Sequence, residues 1–189
     1  MRNPLNLRER GKRVHAIRVL EEDHARIEAL LSELSGADEA TRTTLSKRLA
    51  GELVVHTIAE DNVFLPQVEE AIEEDERMSE EYFDEDTLAE ATSLVAEVYE
   101  HNGWIRDLLQ QPWPATAGDH IDGLRKAVEF HVGQEEALFP KAREVLEEED
   151  FERIGDLIEH CKWQVRGLAQ AKLASSSSFQ PAPVETLLE

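Results

Sequence analysis

Two stretches of the chain read almost alike, HTIAEDNVFLP at residues 56–66 and HVGQEEALFP at residues 131–140. Each opens on a histidine, carries a glutamate four residues later, and closes on Phe, Leu and Pro. The second begins 75 residues after the first (131 − 56). Residues i and i+4 lie on one face of an α-helix, so His56 with Glu60, and His131 with Glu135, point the same way. Both pairs interrupt apolar lines of helical spacing. One line is Leu45, Leu49, Leu53, His56, Glu60, Val63 and Phe64; the other is Ile121, Leu124, Val128, His131, Glu135, Leu138, Ala142 and Val145.

Two more lines of the same kind lie outside these stretches. A first helix is predicted from about Lys12 to Leu34, with Ile17, Leu20, His24, Ile27, Leu31 and Leu34 inward. Ser35-Gly36 ends it, and Asp38 can cap the next helix. That second helix runs from about Glu39 to Ile72, and Pro66 is expected to bend or break it. An acidic loop follows, and Asp84 or Asp86 starts a third helix with Leu94, Val98, His101, Ile105 and Leu108 inward. After the loop QPWPATAG, residues 111–118, Thr116 or Asp119 caps the fourth helix. A shorter fifth helix is predicted from Phe151 to about Leu173, with Ile154, Leu157, Ile158, Val165 and Leu168 inward.

The expected fold is therefore all-α: an up-down-up-down four-helix bundle with an additional C-terminal helix. The bundle and fifth helix occupy residues 12–173, between a flexible basic arm at 1–11 and a disordered tail at 174–189. His24 and His56 are 32 residues apart (56 − 24), and His101 and His131 are 30 apart (131 − 101). Those spacings suit two similar helical hairpins facing each other, which explains the repeated phrase.

Composition bounds the function. The formal charge is −21, from 20 Lys and Arg against 41 Asp and Glu. Such a surface repels nucleic acid and anionic membranes and reads as solubility or salt adaptation, with attraction of cations as the sharper alternative. The acidic runs at 73–86 and 147–150 read as solvated helix ends and loops. A single cysteine, Cys161, excludes an intrachain disulfide. No run is apolar enough to span a membrane, and the N-terminus lacks the apolar core of a signal peptide; the expected location is cytoplasmic.

Four apolar seams thus carry one His, His with Glu, one His, and His with Glu. Burying an unpaired carboxylate costs several kcal/mol, and two facing each other repel. No Lys or Arg lies on these seams near the histidines, so a metal cation is the expected compensating charge. A lone core histidine is usually just hydrogen-bonded, and a lone HxxxE is often a surface pair. The in-register set favours a metal site, with a buried hydrogen-bond network as the alternative. Mixed N/O ligands without thiolate suit iron, manganese or zinc. Six side chains are too many for one tetrahedral zinc, and bridging carboxylates favour a pair of metals.

This arrangement resembles the hemerythrin-like, HHE cation-binding domain family. The order H…HxxxE…H…HxxxE and the trailing Leu, Phe and Pro carry the resemblance over about residues 12–148. It implies a non-haem di-iron centre with two oxo- or hydroxo-bridged iron ions, for which manganese or zinc could substitute. It implies His24, His56, Glu60, His101, His131 and Glu135 as ligands. The implied function is binding of, or reaction with, dioxygen, peroxide or nitric oxide in sensing, scavenging or stress response, including weak peroxidase or catalase-like activity. The alternatives are an iron-binding module for storage, sensing or iron-centre repair, and a structural bundle without metal. Classical oxygen carriers place a second histidine four residues after that of the third helix, where this chain has Ile105. They also end in HxxxxD, where this chain has His131 with Glu135.

The remaining candidates read as structural. His15 is about 180° round the helix from His24, a surface histidine. His120 is about 16 Å along the axis from His131, too far to share its site. His160 could cover the bundle mouth or supply an extra ligand. Cys161, Trp104 and Trp113 read as packing, Tyr99 points away from the site, and Tyr82 and Phe83 could fold over one end.

Overall fold

The structure is a computed structural model that describes residues 14–78, 85–110 and 118–175, and every element assigned within them is helical. In chain order these are α1 (Ala16–Gly36), α2 (Glu39–Ala59), a π-helical turn (Glu60–Phe64), α3 (Leu65–Met78), α4 (Glu85–Gln110), α5 (Gly118–Val145) and α6 (Glu148–Ser175). The arm at 1–11, Tyr82, Phe83, Asp84, Trp113, Thr116 and the tail beyond Ser175 lie outside the described residues, as do the side chains of Asp86, Asp119 and His120. No helix among the described residues is long and apolar enough to cross a membrane.

Local chemistry accounts for the helix boundaries. α1 stops at Gly36, and Asp38 caps α2 by accepting the Thr41 N–H at 2.8 Å. α6 begins three residues earlier than predicted. Glu148, Glu149 and Asp150 occupy its first turn, where negative charge faces the positive end of the helix dipole.

Pro66 does not break the second helix. The chain runs from α2 through the π turn into α3 without interruption. The Leu65 N–H reaches back five residues to Glu60 O, one residue before Pro66, which has no N–H to give. The wider turn absorbs the missing donor and the ring clash that a regular helix would meet there. Asn62 Nδ2 donates to Ile58 O at 2.8 Å within the same region.

The inward line of α5 is as predicted, with Ile121, Leu124, Val128, His131, Glu135, Leu138 and Ala142 all buried. In α4 the predicted Val98, His101 and Ile105 are buried, but the buried face is shifted toward the neighbouring Val95, Asn102 and Leu109. Leu88, Ala91, Val95, Val98, Asn102, Ile105 and Leu109 are buried, while the expected Leu94 and Leu108 are only half-buried. Two apolar lines run side by side on this helix, and the core took the longer one, which places Asn102 rather than His101 in the central slot.

α6 also differs. Its inward residues are Phe151, Ile154, Ile158, Lys162 and Val165, whereas Leu157 and Leu168 are 44% and 48% exposed. Gly155 explains the orientation. A Cβ there would overlap the backbone carbonyl of Val14, so this face of α6 lies against the start of α1, and Leu157 is left outside.

α1 packs against α2, α5 and α6; α2 also meets α4 and α6; α3 meets α4 and α5; and α4 lies along α5. The apolar interior falls into two main clusters. One contains Leu20, Phe64, Leu138, Phe139 and Ile154; the other contains Ile27, Leu31, Leu53, Ile105 and Val128. Each polar seam residue lies in sequence between a member of one cluster and a member of the other: His24 between Leu20 and Ile27, His56 and Glu60 between Leu53 and Phe64, and His131 and Glu135 between Val128 and Leu138. The polar residues thus form a layer between two apolar halves.

Candidate metal centre

Three helical segments bring five of the six predicted ligands together. His24 comes from α1, His56 and Glu60 from the end of α2 and the start of the π turn, and His131 and Glu135 from α5. One ligand atom from each lies within 4.8 Å of every other, a grouping that could hold a metal ion. Four of the five side chains are 0–1% exposed, and His24 is 11% exposed.

The atoms converge on a common point. His56 Nε2 is 3.2 Å from His24 Nε2 and 3.2 Å from His131 Nε2. Glu60 Oε1 is 2.7 Å from His56 Nε2, and Glu135 Oε2 is 2.7 Å from His24 Nε2. The three rings stand nearly perpendicular to one another, at 75°, 88° and 90°, so each aims an edge inward. Ligands ~2.1 Å from a shared ion stand roughly 3 Å apart at right angles and about 4.2 Å apart when opposed. The observed separations are close to those. Among the described residues all four carboxylate oxygens of Glu60 and Glu135 are buried without a well-directed hydrogen bond, and buried acceptors left in that state are rare and costly. The donor set therefore fits a cation.

Electrostatics divides the two carboxylates. Burial and the charge of Glu60 push Glu135 well above the usual carboxylate range, which favours its protonated form. Burial acts against Glu60 as well, but the imidazoles of His56 and His131 outweigh it and hold Glu60 well below that range. His56 is lowered by burial and raised more by Glu60 and Glu135, a net upward shift. His24 is driven down to about 4 by burial and by His56.

His101 is not brought into the group. It is buried at the edge of α4, with its ring 4.5 Å from that of Phe130 and 5.0 Å from that of Trp104. The shifted buried face of α4 accounts for this. Asn102 takes the inward slot and donates to Asp61 Oδ1 at 2.8 Å, and Asp61 also pairs with Arg106. His160 stacks on Trp163 at 6.0 Å and stands outside the group. His15 is half-buried rather than on the surface; it precedes α1 and stacks on Phe151 at 4.8 Å. Tyr99 hydrogen-bonds Glu69, away from the cluster. Burial raises the Cys161 thiol, which is unreactive filling in character. Trp104 is 51% exposed, with its ring tilted against that of His101.

Two residues beside the cluster escaped the sequence reading. Asp23 and Lys162 are 3% and 1% exposed, and Lys162 Nζ donates to Asp23 Oδ1 at 2.8 Å. The four seams carry no basic residue near the histidines, but α6 brings Lys162 beside Asp23 from outside them. Its signal was present in the sequence, since Lys162 occupies an apolar slot between Ile158 and Val165, as the histidines do on their helices. Asp23 carried no such signal; it is one acid in an acidic run beside His24. No protein family, no curated protein and no solved structure matches this chain.

Proposed function

We propose that the protein is a hemerythrin-like non-haem iron protein, an up-down-up-down bundle with an added helix, that binds or reacts with dioxygen, peroxide or nitric oxide. The observation that carries this reading is the convergence of three imidazole nitrogens and two unsatisfied carboxylates inside an otherwise apolar interior. Iron in such a site supplies redox chemistry and open coordination positions for a small ligand. The chain's own contribution is to bind and to exclude. Leu53, Phe64, Val128 and Leu138 are 0–5% exposed and keep bulk water from the cluster. The 11% exposure of His24 places the contact with solvent on the α1 side. A two-iron centre would be held by Glu60 and Glu135 with the three clustered histidines, and His101 would have to turn inward from Phe130 to serve as the sixth ligand.

The second reading is an iron-binding module for storage, sensing or repair. The compactness of the group favours it, because five atoms within 4.8 Å suit one ion. Iron-to-protein ratio and visible absorption separate the two. Two irons per chain, falling to one in His101→Ala, with bands that respond when dioxygen is admitted to the reduced protein, support the first reading. One iron, unaffected by that substitution and silent to dioxygen and peroxide, supports the second. Protein that retains no metal refutes both and leaves a buried polar network.

A further inference from the structure

We infer that Asp23, clamped by Lys162 of α6, positions His56 for metal binding by accepting a hydrogen bond from its Nδ1–H. This rests on the reading of the cluster as a metal centre. Asp23 Oδ1 is held by Lys162 Nζ at 2.8 Å, and Arg26, one turn along α1, pairs with the same oxygen. The other oxygen, Oδ2, stands 3.6 Å from His56 Nδ1. Both atoms are buried and neither has a hydrogen-bond partner among the described residues. They face each other across a gap that a shift of under ~1 Å closes to hydrogen-bond length.

The geometry assigns the two nitrogens of His56 different tasks. Nε2 faces His24, His131 and Glu60, so it must present a lone pair to an ion. Nδ1 must then carry the proton. A carboxylate behind a ligating imidazole fixes that tautomer, orients the ring and raises its basicity. Lys162 makes such a carboxylate tolerable in the interior. It neutralises Asp23, and by holding Oδ1 it turns Oδ2 toward His56. Lys162 also reaches Glu159 Oε1 at 2.9 Å on its own helix, which anchors the clamp to α6. On this account α6 is part of the centre and not an appendage.

The test uses the full-length protein and zinc as the probe. Imidazole ¹H–¹⁵N NMR is recorded on metal-free and zinc-loaded protein. An exchange-protected, downfield Nδ1–H resonance of His56 is expected in both, and its absence from the wild type overturns the inference. Asp23→Leu/Lys162→Met replaces the buried ion pair with apolar groups, a change that folds commonly tolerate. It should lose the resonance and bind zinc about 10–100-fold more weakly. Asp23→Asn retains an acceptor oxygen and should recover most of the affinity. Equal zinc affinity in wild type and the double variant refutes the positioning role. A wild type that binds neither zinc nor iron refutes the metal reading instead, and the metal-free resonance still decides whether Asp23 holds His56. Should the double variant fail to fold, the wild-type resonance decides alone.

Discussion

Glu60 and Glu135 occupy matching places in the repeated phrase, yet substitution by glutamine should affect the metal-free protein unequally. Both side chains are 0% exposed. Burial and the charge of Glu60 disfavour the Glu135 anion. Glutamine imitates the neutral form that the shift of Glu135 favours and has no carboxyl to ionise on unfolding, so Glu135→Gln should not destabilise the metal-free protein at pH 7. Glu60 is ionised, with Oε1 2.7 Å from His56 Nε2. Glu60→Gln removes the charged member of a buried carboxylate–imidazole pair, a change that costs about 3 kcal/mol. At roughly 2–4 °C per kcal/mol for a chain of this size, Tm should fall by roughly 6–12 °C. Chelator-treated proteins would be unfolded thermally and in urea at pH 7, followed by far-UV circular dichroism. Equal losses, or a greater loss for Glu135→Gln, would refute the assignment of charge within the pair. With iron or zinc added, both variants should fail to show the ligand-induced rise in Tm of the wild type. A variant that kept full metal affinity would remove its glutamate from the ligand set.

The titration of the cluster gives further outcomes. The shift of Glu135 favours a protonated ligand in the metal-free cluster, so metal added to weakly buffered protein at pH 7 should release protons, and affinity should rise with pH; pH-independent affinity would contradict this. In the metal-free protein the raised pKa of Glu135 contributes stability that is full below the unfolded value of about 4.5 and is lost as pH rises through its folded value. The difference between wild-type and Glu135→Gln unfolding curves across pH 4–8 should slope in that direction, and a flat difference would refute it. His24 has the opposite sign. Its lowered pKa, about 4 against 6.5, contributes stability that is full above 6.5 and is lost as pH falls through 4, on the order of 3 kcal/mol in total; His24→Gln should remove that component, and an unchanged profile counts against the buried neutral imidazole. Gly155→Ala should destabilise by about 1–3 kcal/mol through the overlap with Val14, read as a lower urea midpoint; no change would mean that α6 does not dock as described.

Helix existence and most inward faces were legible because the relevant residues obey steps of three and four. α5 shows this best, since its predicted line is the buried line throughout the core. The same reasoning was only partly right for α4, where Leu94, Val98, His101, Ile105 and Leu108 compete with a neighbouring line through Val95 and Asn102. Periodicity cannot choose between lines one residue apart; the packing of α4 on α5 and the Asn102–Asp61 hydrogen bond do. Pro66 looked like a break because a regular helix cannot accept it, and the π turn is a backbone adjustment that side-chain spacing does not encode. On α6, Leu157 and Leu168 are apolar by composition but lie on the face that the close approach of Gly155 to α1 leaves exposed. The five clustered ligands were legible because each disturbs an apolar seam. Asp23 was not, because acids are common here and only tertiary packing distinguishes the buried one.

Charge balance in the interior links these features. Asp23 is neutralised by Lys162 and Arg26, so it makes no demand on an ion. Glu135 remains neutral while its proton is bound, and the charge of Glu60 is offset by the imidazoles around it. A divalent ion that displaces the Glu135 proton, together with any proton the imidazoles hold against Glu60, meets two carboxylates and leaves the layer uncharged. A second divalent ion adds two positive charges with no further acid among the five clustered residues to balance them. It requires hydroxide or oxide from solvent, an inward turn of His101, or both. The one-ion and two-ion readings therefore differ in protons as well as in iron. Loading one divalent ion should release chiefly the protons already held by the cluster. Loading two should release additional protons from water, with His101→Ala suppressing that second increment. Proton release measured against iron bound, in wild type and in that variant, distinguishes them: a single linear phase unaffected by the substitution would exclude a two-iron centre that depends on His101.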